Sequence, residues 1–141
     1  MNKVKKVIVD SSVIVKWLSG QDEKYLDRAD KLLQNCQLGK ISLHSPELAK
    51  YEVGNALLYK QMDAPATYAC LALLYSLPIT YYINDQDSAD TTMEIAQDHN
   101  ITYYDAVFLQ LAQRIGGLLV TDNPKHQKKI KSIPVVPLSK Y

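Results

Sequence analysis

Short β-branched runs alternate with stretches of helical periodicity along this chain, and no other feature restricts the fold as much. VKKVIV at 4 to 9, ISLH at 41 to 44, ITYYI at 79 to 83, LLVT at 118 to 121 and VVPL at 135 to 138 read as strands. A short helix is expected after Asp10, with capping hydroxyls from Ser11 and Ser12; longer ones are expected over 23 to 38, 47 to 60, 66 to 77, 88 to 99 and 102 to 115. Gly20, Gly39, Pro78, Asn100 and Gly116-Gly117 supply stops, and Ser45-Pro46 offers a cap and a first position for helix 47 to 60. Helix 88 to 99 should turn Ala89, Met93 and Ala96 inward. One further helix is expected between the last two strands, giving the order β-α-α-β-α-α-β-α-α-β-α-β. Such alternation argues for a mostly parallel sheet covered on both faces, in which function collects at the carboxyl ends of the strands.

The 141 residues fit one domain, with 47% hydrophobic and 22% charged residues, values that exclude a disordered or fibrous chain. The N-terminal MNKVKKVIVD has neither the long apolar run nor the small-residue cleavage site of a signal peptide, so a cytoplasmic protein without membrane spans is expected. Cys36 and Cys70 lack metal-ligand spacing and are expected as buried apolar residues. A net charge of +1 does not by itself mark a nucleic-acid binder, although Lys125, His126, Lys128, Lys129 and Lys131 crowd into one short stretch.

Five acidic or amide positions stand out against this frame. Asp10 ends the first strand and should reach the functional edge of the sheet; it would equally serve as a helix cap. Glu52 lies among Leu48, Ala49, Val53, Ala56 and Tyr59 at helical spacing, with Asn55 beside it. Either it has a partner there, or the helix is rotated to expose it, or a lysine pairs with it. Asp105 fits a capping box with Thr102, and the same placement points its carboxylate beyond the sheet edge. The strand that ends at Thr121 hands Asp122 and Asn123 to the same edge as further candidate metal ligands, in a sequence that also reads as a turn.

Three carboxylates brought within ~4 Å of one another repel by about 4 kcal/mol per pair at an effective dielectric near 20. Such a sum rivals the roughly 5–15 kcal/mol that stabilises a domain. A divalent cation removes the penalty, and an all-oxygen donor set selects Mg²⁺ or Mn²⁺ over zinc.

VIVDSSVIVKWL, PELAKYEVGNAL and TYYDAVFLQLAQRIGGLLVTDN together resemble the successive motifs of PIN domains, especially VapC-type toxins, along essentially the entire chain. The resemblance implies a three-layer α/β/α sandwich over residues 1 to 141 and a cleft in which Asp10, Glu52 and Asp105 bind one or two Mg²⁺ or Mn²⁺ ions. It further implies hydrolysis of RNA phosphodiesters, a small VapB-like antitoxin as partner, and a homodimer, for which the broad apolar surface of helix 66 to 77 is available. Ser12 and Thr121 resemble hydroxyl positions that hold metal ligands or a phosphate. The chain departs from the family where a further acid is usual: Asn123 stands there, with Asp122 one residue early, which favours a single ion. Lys125, Lys128 and Lys129 adjoin that position and are expected to touch the RNA backbone or to lie on a solvated helix.

Two rival functions follow. One is an inactive PIN-like module that holds RNA or protein, suggested by Asn123. The other is a phosphatase of the haloacid-dehalogenase type, which wants a second acid where this chain has Ser12. No glycine-rich nucleotide loop is present.

Overall fold

A computed structural model describes residues 3–20, 23–123 and 130–141. The strands are β1 (Lys5–Val9), β2 (Ile41–Pro46), β3 (Ile79–Tyr82), β4 (Leu118–Thr121) and β5 (Val135–Pro137). The helices are α1 (Ser11–Leu18), α2 (Leu26–Gln37), α3 (Leu48–Tyr59), α4 (Ala64–Ser76), α5 (Gln86–His99) and α6 (Tyr103–Ile115). The helix expected between β4 and β5 falls largely outside the described residues.

The five strands run parallel in the order β3-β2-β1-β4-β5. β1 is central because Val7, Ile8 and Val9 are apolar on both faces and can be buried on both. α6 packs on β1, β2 and β4 and carries α5, whereas α1 packs against β4, α2, α3 and α4. The result is the expected α/β/α sandwich. Connections from β1 lead outward through β2 to β3, and the chain then returns to place β4 on the other side of β1. That reversal is a switch point, where crevices form at the carboxyl ends of parallel strands. Gly117 lets the chain press on β1: a Cβ there would lie 2.3 Å from Ile8 Cδ1 and 3.0 Å from the Lys6 carbonyl oxygen.

Three local expectations are corrected. The cap of α1 is Asp10, which accepts from the Val13 amide at 3.3 Å, rather than Ser11 or Ser12. Pro46 closes β2 instead of opening α3, because strand pairing with β3 extends to Pro46 opposite Tyr82; Ser45 donates to the Val9 carbonyl at 2.7 Å instead of capping. On α5, Ala96 is buried as expected and Ala89 half-buried, but Met93 is exposed and Ser88, Thr92 and Ile95 complete the buried face. Its small polar residues satisfy themselves: Thr92 donates to the Ser88 carbonyl, and the Ser88 hydroxyl accepts from Arg114. Other signals hold as read. Asn100 and Gly116 end α5 and α6 in the left-handed conformation, at φ 53° and 67°. Cys36 and Cys70 are both free; Cys70 is buried as expected, whereas Cys36 is only half-buried. Along α4, Tyr68, Leu73 and Tyr75 are exposed, and Tyr51, Leu58 and Tyr59 extend that apolar surface onto α3. Among the described residues, no helix is long and apolar enough to cross a membrane.

Candidate active site

Three elements meet where β1 ends. β1 delivers Asp10, α3 presents Glu52 from its second turn, and α6 presents Asp105 from its first. Their side chains line one cavity of about 160 Å³ together with Ser11, Ser12, Phe108 and Asn123. Residues 10, 52, 105 and 123 are thus brought together from across the chain.

Asp10 is the buried anchor of the site. Its carboxylate accepts from the Ser12 hydroxyl, the Thr121 hydroxyl and the Val13 amide. Burial nevertheless wins over those donors and pushes its pKa above the ordinary carboxylate range. Thr121 is fully buried at the end of β4, and its hydroxyl also accepts from the Asn123 amide at 3.0 Å, so it positions both Asp10 and the following turn. Ser12 does the same from the other side, its oxygen accepting from the Asp122 amide at 3.1 Å.

Glu52 is half-buried and accepts from the Ser11 hydroxyl at 3.3 Å. Its pKa is raised, first by burial and then by the charges of Asp10 and Asp105, with the Ser11 hydrogen bond opposing. Glu52 therefore feels both other carboxylates. Asp105 does serve the helix start, its amide donating to Thr102 at 3.0 Å, and its side chain remains directed at the cavity. Both roles foreseen for it hold at once.

Two sequence-based assignments are not brought to the cavity. Asp122 turns away: its carboxylate pairs with Lys16 at 3.2 Å, because a lysine ammonium buried nearby attracts it more strongly than a site already rich in acids. Asn55 is exposed on α3 and does not line the cavity. Lys125, Lys128 and Lys129 lie outside the described residues.

Sequence reasoning missed the group that captures Asp122. Lys16 is 4% exposed and pairs with Glu23 at 3.0 Å as well as with Asp122; Glu23 in turn meets Lys60 at 2.9 Å. Burial lowers the Lys16 pKa, but hydrogen bonds and charges from Glu23 and Asp122 outweigh it, leaving a net upward shift. Glu23 is shifted down: burial acts against this, and Lys60 and Lys16 prevail. A lone lysine inside the apolar run SSVIVKWL was the available signal.

Carboxylates, an amide and hydroxyls make an all-oxygen donor set, which fits Mg²⁺ or Mn²⁺ and does not fit zinc. Among the described residues, no three His, Cys, Asp or Glu side chains are gathered closely enough to enclose an ion as they stand. Mutual repulsion of three carboxylates is the physical reason to expect such spacing without a counter-charge.

A sequence model of the PIN domain matches residues 7–132. Ribonuclease VapC3 of Pyrobaculum aerophilum is 28% identical over 124 residues, covering 82% of this chain and 88% of the relative. The crystal structure of PAE2754 from Pyrobaculum aerophilum superposes with a TM-score of 0.69 at 23% identity, covering 96% of this chain and 90% of that one. A toxin–antitoxin complex from Klebsiella pneumoniae gives 0.67 at 20% identity, with 96% and 99% covered. At these identities the two structures speak to the fold.

Proposed function

This chain belongs to the PIN domain family, and from that premise we propose that it is a metal-dependent endoribonuclease, the toxin of a toxin–antitoxin pair. The observation that carries the reading is the single cavity shared by Asp10, Glu52, Asp105 and Asn123. Its likeness to a relative named as a ribonuclease supports the choice of RNA as substrate.

Asp10, Glu52 and Asp105 would hold one Mg²⁺ or Mn²⁺, with the neutral amide of Asn123 adding an oxygen without further charge. Such an ion supplies a water nucleophilic at neutral pH and offsets negative charge on the phosphate and the departing oxygen. The chain's own part is to fix the donors in advance. Thr121, Ser12 and the Val13 amide hold Asp10 in one orientation, and Ser11 holds one oxygen of Glu52, a residue that lines the cavity. Preset donors lower the reorganisation needed at reaction. Asp122 is assigned to Lys16 rather than to the ion. Lys125, Lys128 and Lys129 are assigned to the RNA backbone on sequence grounds, a VapB-like antitoxin to the cleft, and a second copy to the apolar face of α4. The protein is assigned to the cytoplasm.

Cleavage of RNA in Mg²⁺ or Mn²⁺ tests the reading. Asp10→Asn and Asp105→Asn should each lower the rate by about 100-fold or more with the circular dichroism spectrum unchanged. Asn at 10 still caps α1, so the fold should survive. A wild type inert toward a broad RNA pool with Mn²⁺ would favour the second reading, a PIN-like binding module, which Asn123 in place of an acid also suggests.

A further inference from the structure

A second cavity is built from residues that neighbour the carboxylates along α3 and α6. It encloses about 200 Å³ and is lined by Tyr82, Tyr103 and Tyr104, with Glu47, Leu48 and Asn84 among its other walls. Two of its wall residues lie beside the site along the chain: Tyr104 precedes Asp105 on α6 and Leu48 lies one turn before Glu52 on α3. The volume falls below the roughly 300–1,000 Å³ of pockets for drug-sized ligands and suits one flat ring system.

We propose that this cavity is a nucleobase subsite, which takes the base next to the phosphate held at the carboxylates and prefers guanine. The proposal rests on the ribonuclease reading above.

Aromatic side chains bind unpaired bases by stacking on their π faces. Two of the three rings are fixed before any ligand arrives: the Tyr82 hydroxyl shares a hydrogen bond with His44 Nδ1 at 2.9 Å, and the Tyr103 hydroxyl accepts from Asn84 Nδ2 at 2.9 Å. Fixed rings lose little freedom on binding. Tyr104 is 62% exposed, a large aromatic surface held open beside the site. Two acceptors stand among the polar atoms left over: Asn84 gives one amide N–H to Tyr103 and retains its carbonyl oxygen, and Glu47 gives one oxygen to Lys50 at 3.2 Å and retains the other. Guanine presents two adjacent donors, N1–H and the N2 amino group, whereas adenine and cytosine present a single amino group on that edge.

The test uses the full chain and short RNAs of one sequence that differ at the nucleotide beside the mapped cleavage point. Guanine, inosine, adenine, cytosine, uracil and an abasic sugar are compared there. Cleavage should be fastest beside guanine and about 5- to 150-fold slower beside the abasic sugar, the factor that one base–aromatic stack is worth. Tyr104→Ala should slow the guanine RNA comparably, and the two losses should not add. Glu47→Gln should erase the preference for guanine over inosine; an unchanged preference would remove Glu47 from the subsite. Equal rates across the set overturn the proposal. So does a Tyr104→Ala chain whose oligomeric state changes while its base preference stays, which would give the cavity to a second copy.

A binding measurement separates this proposal from the nuclease reading. An RNA carrying 2-aminopurine, mixed with the chain in Ca²⁺, should lose emission with wild type and keep it with Tyr104→Ala. Quenching without cleavage of any RNA would retain the subsite and reject the nuclease. Cleavage without quenching would do the reverse.

Discussion

Asp122 and Asn123 are neighbours in sequence, yet they serve two clusters of opposite electrostatic design. On one side Asp10, Glu52 and Asp105 share a cavity with no cation among the described side chains that line it. On the other, Glu23 and Asp122 sit on Lys16, and Glu23 also on Lys60. The balanced cluster stabilises the fold and asks for nothing from solution. The unbalanced one is a cost to the fold that a proton or a bound cation would relieve. Acids gathered without a partner therefore mark function, and acids gathered around a lysine mark architecture.

The sharpest way to break the comparison is to remove the cation from the balanced side. Lys16→Met should destabilise the protein by about 3 kcal/mol, the low end for splitting a buried pair because Glu23 and Asp122 keep some solvent, read as a lower midpoint in urea denaturation. Supplying a cation to the other side should do the opposite. Mg²⁺ at about 100 times its Kd should add about 2.7 kcal/mol, seen as a rise in Tm that Asp105→Asn abolishes. Glu52→Gln should raise the stability of the metal-free chain by about 0.5–2 kcal/mol while removing cleavage, the usual trade at a strained site.

The smallest effect is in the pH profile, where the two clusters should slope oppositely. Asp10 and Glu52 have raised folded pKa values, so the folded chain holds protons more tightly there; the associated stability is full below the ordinary carboxylate values of 3.8 and 4.5 and is lost as pH rises through the folded values. Glu23 has a lowered folded pKa; its contribution is full above 4.5 and is lost as pH falls through the folded value. In chemical denaturation of the metal-free protein across acid pH, Glu52→Gln should flatten the first slope and Lys16→Met the second. Identical profiles for both variants would mean that the clusters do not differ as described.

The strands and helices were legible because their signals are local: β-branched runs, stops at Gly39, Gly116 and Asn100, and an acid directly after VIV. Glu52 was legible as an acid among apolar neighbours, and Asp105 as half of a capping box. What the sequence concealed was set by tertiary contact. Ser45-Pro46 carries strong helix-start chemistry, but pairing with β3 kept it in the sheet, and the Ser45 hydroxyl found the Val9 carbonyl instead. Met93 was left outside because α5 meets α6 through Ser88, which accepts from Arg114. Asp122 was read as a ligand because its position in the chain is right; its partner, Lys16, lies more than a hundred residues earlier.

The reversal of chain direction at β1 also sets a schedule. Asp10 is made early, but one edge of β1 stays bare until β4 is inserted beside it, and only then do Thr121 and Asn123 reach the carboxylates. At about 5–20 residues per second, roughly 6 to 22 s separate the synthesis of Val9 from that of Thr121. During that interval a nascent chain lacks Thr121 and Asn123, so topology alone delays completion of the carboxylate cavity until late in synthesis.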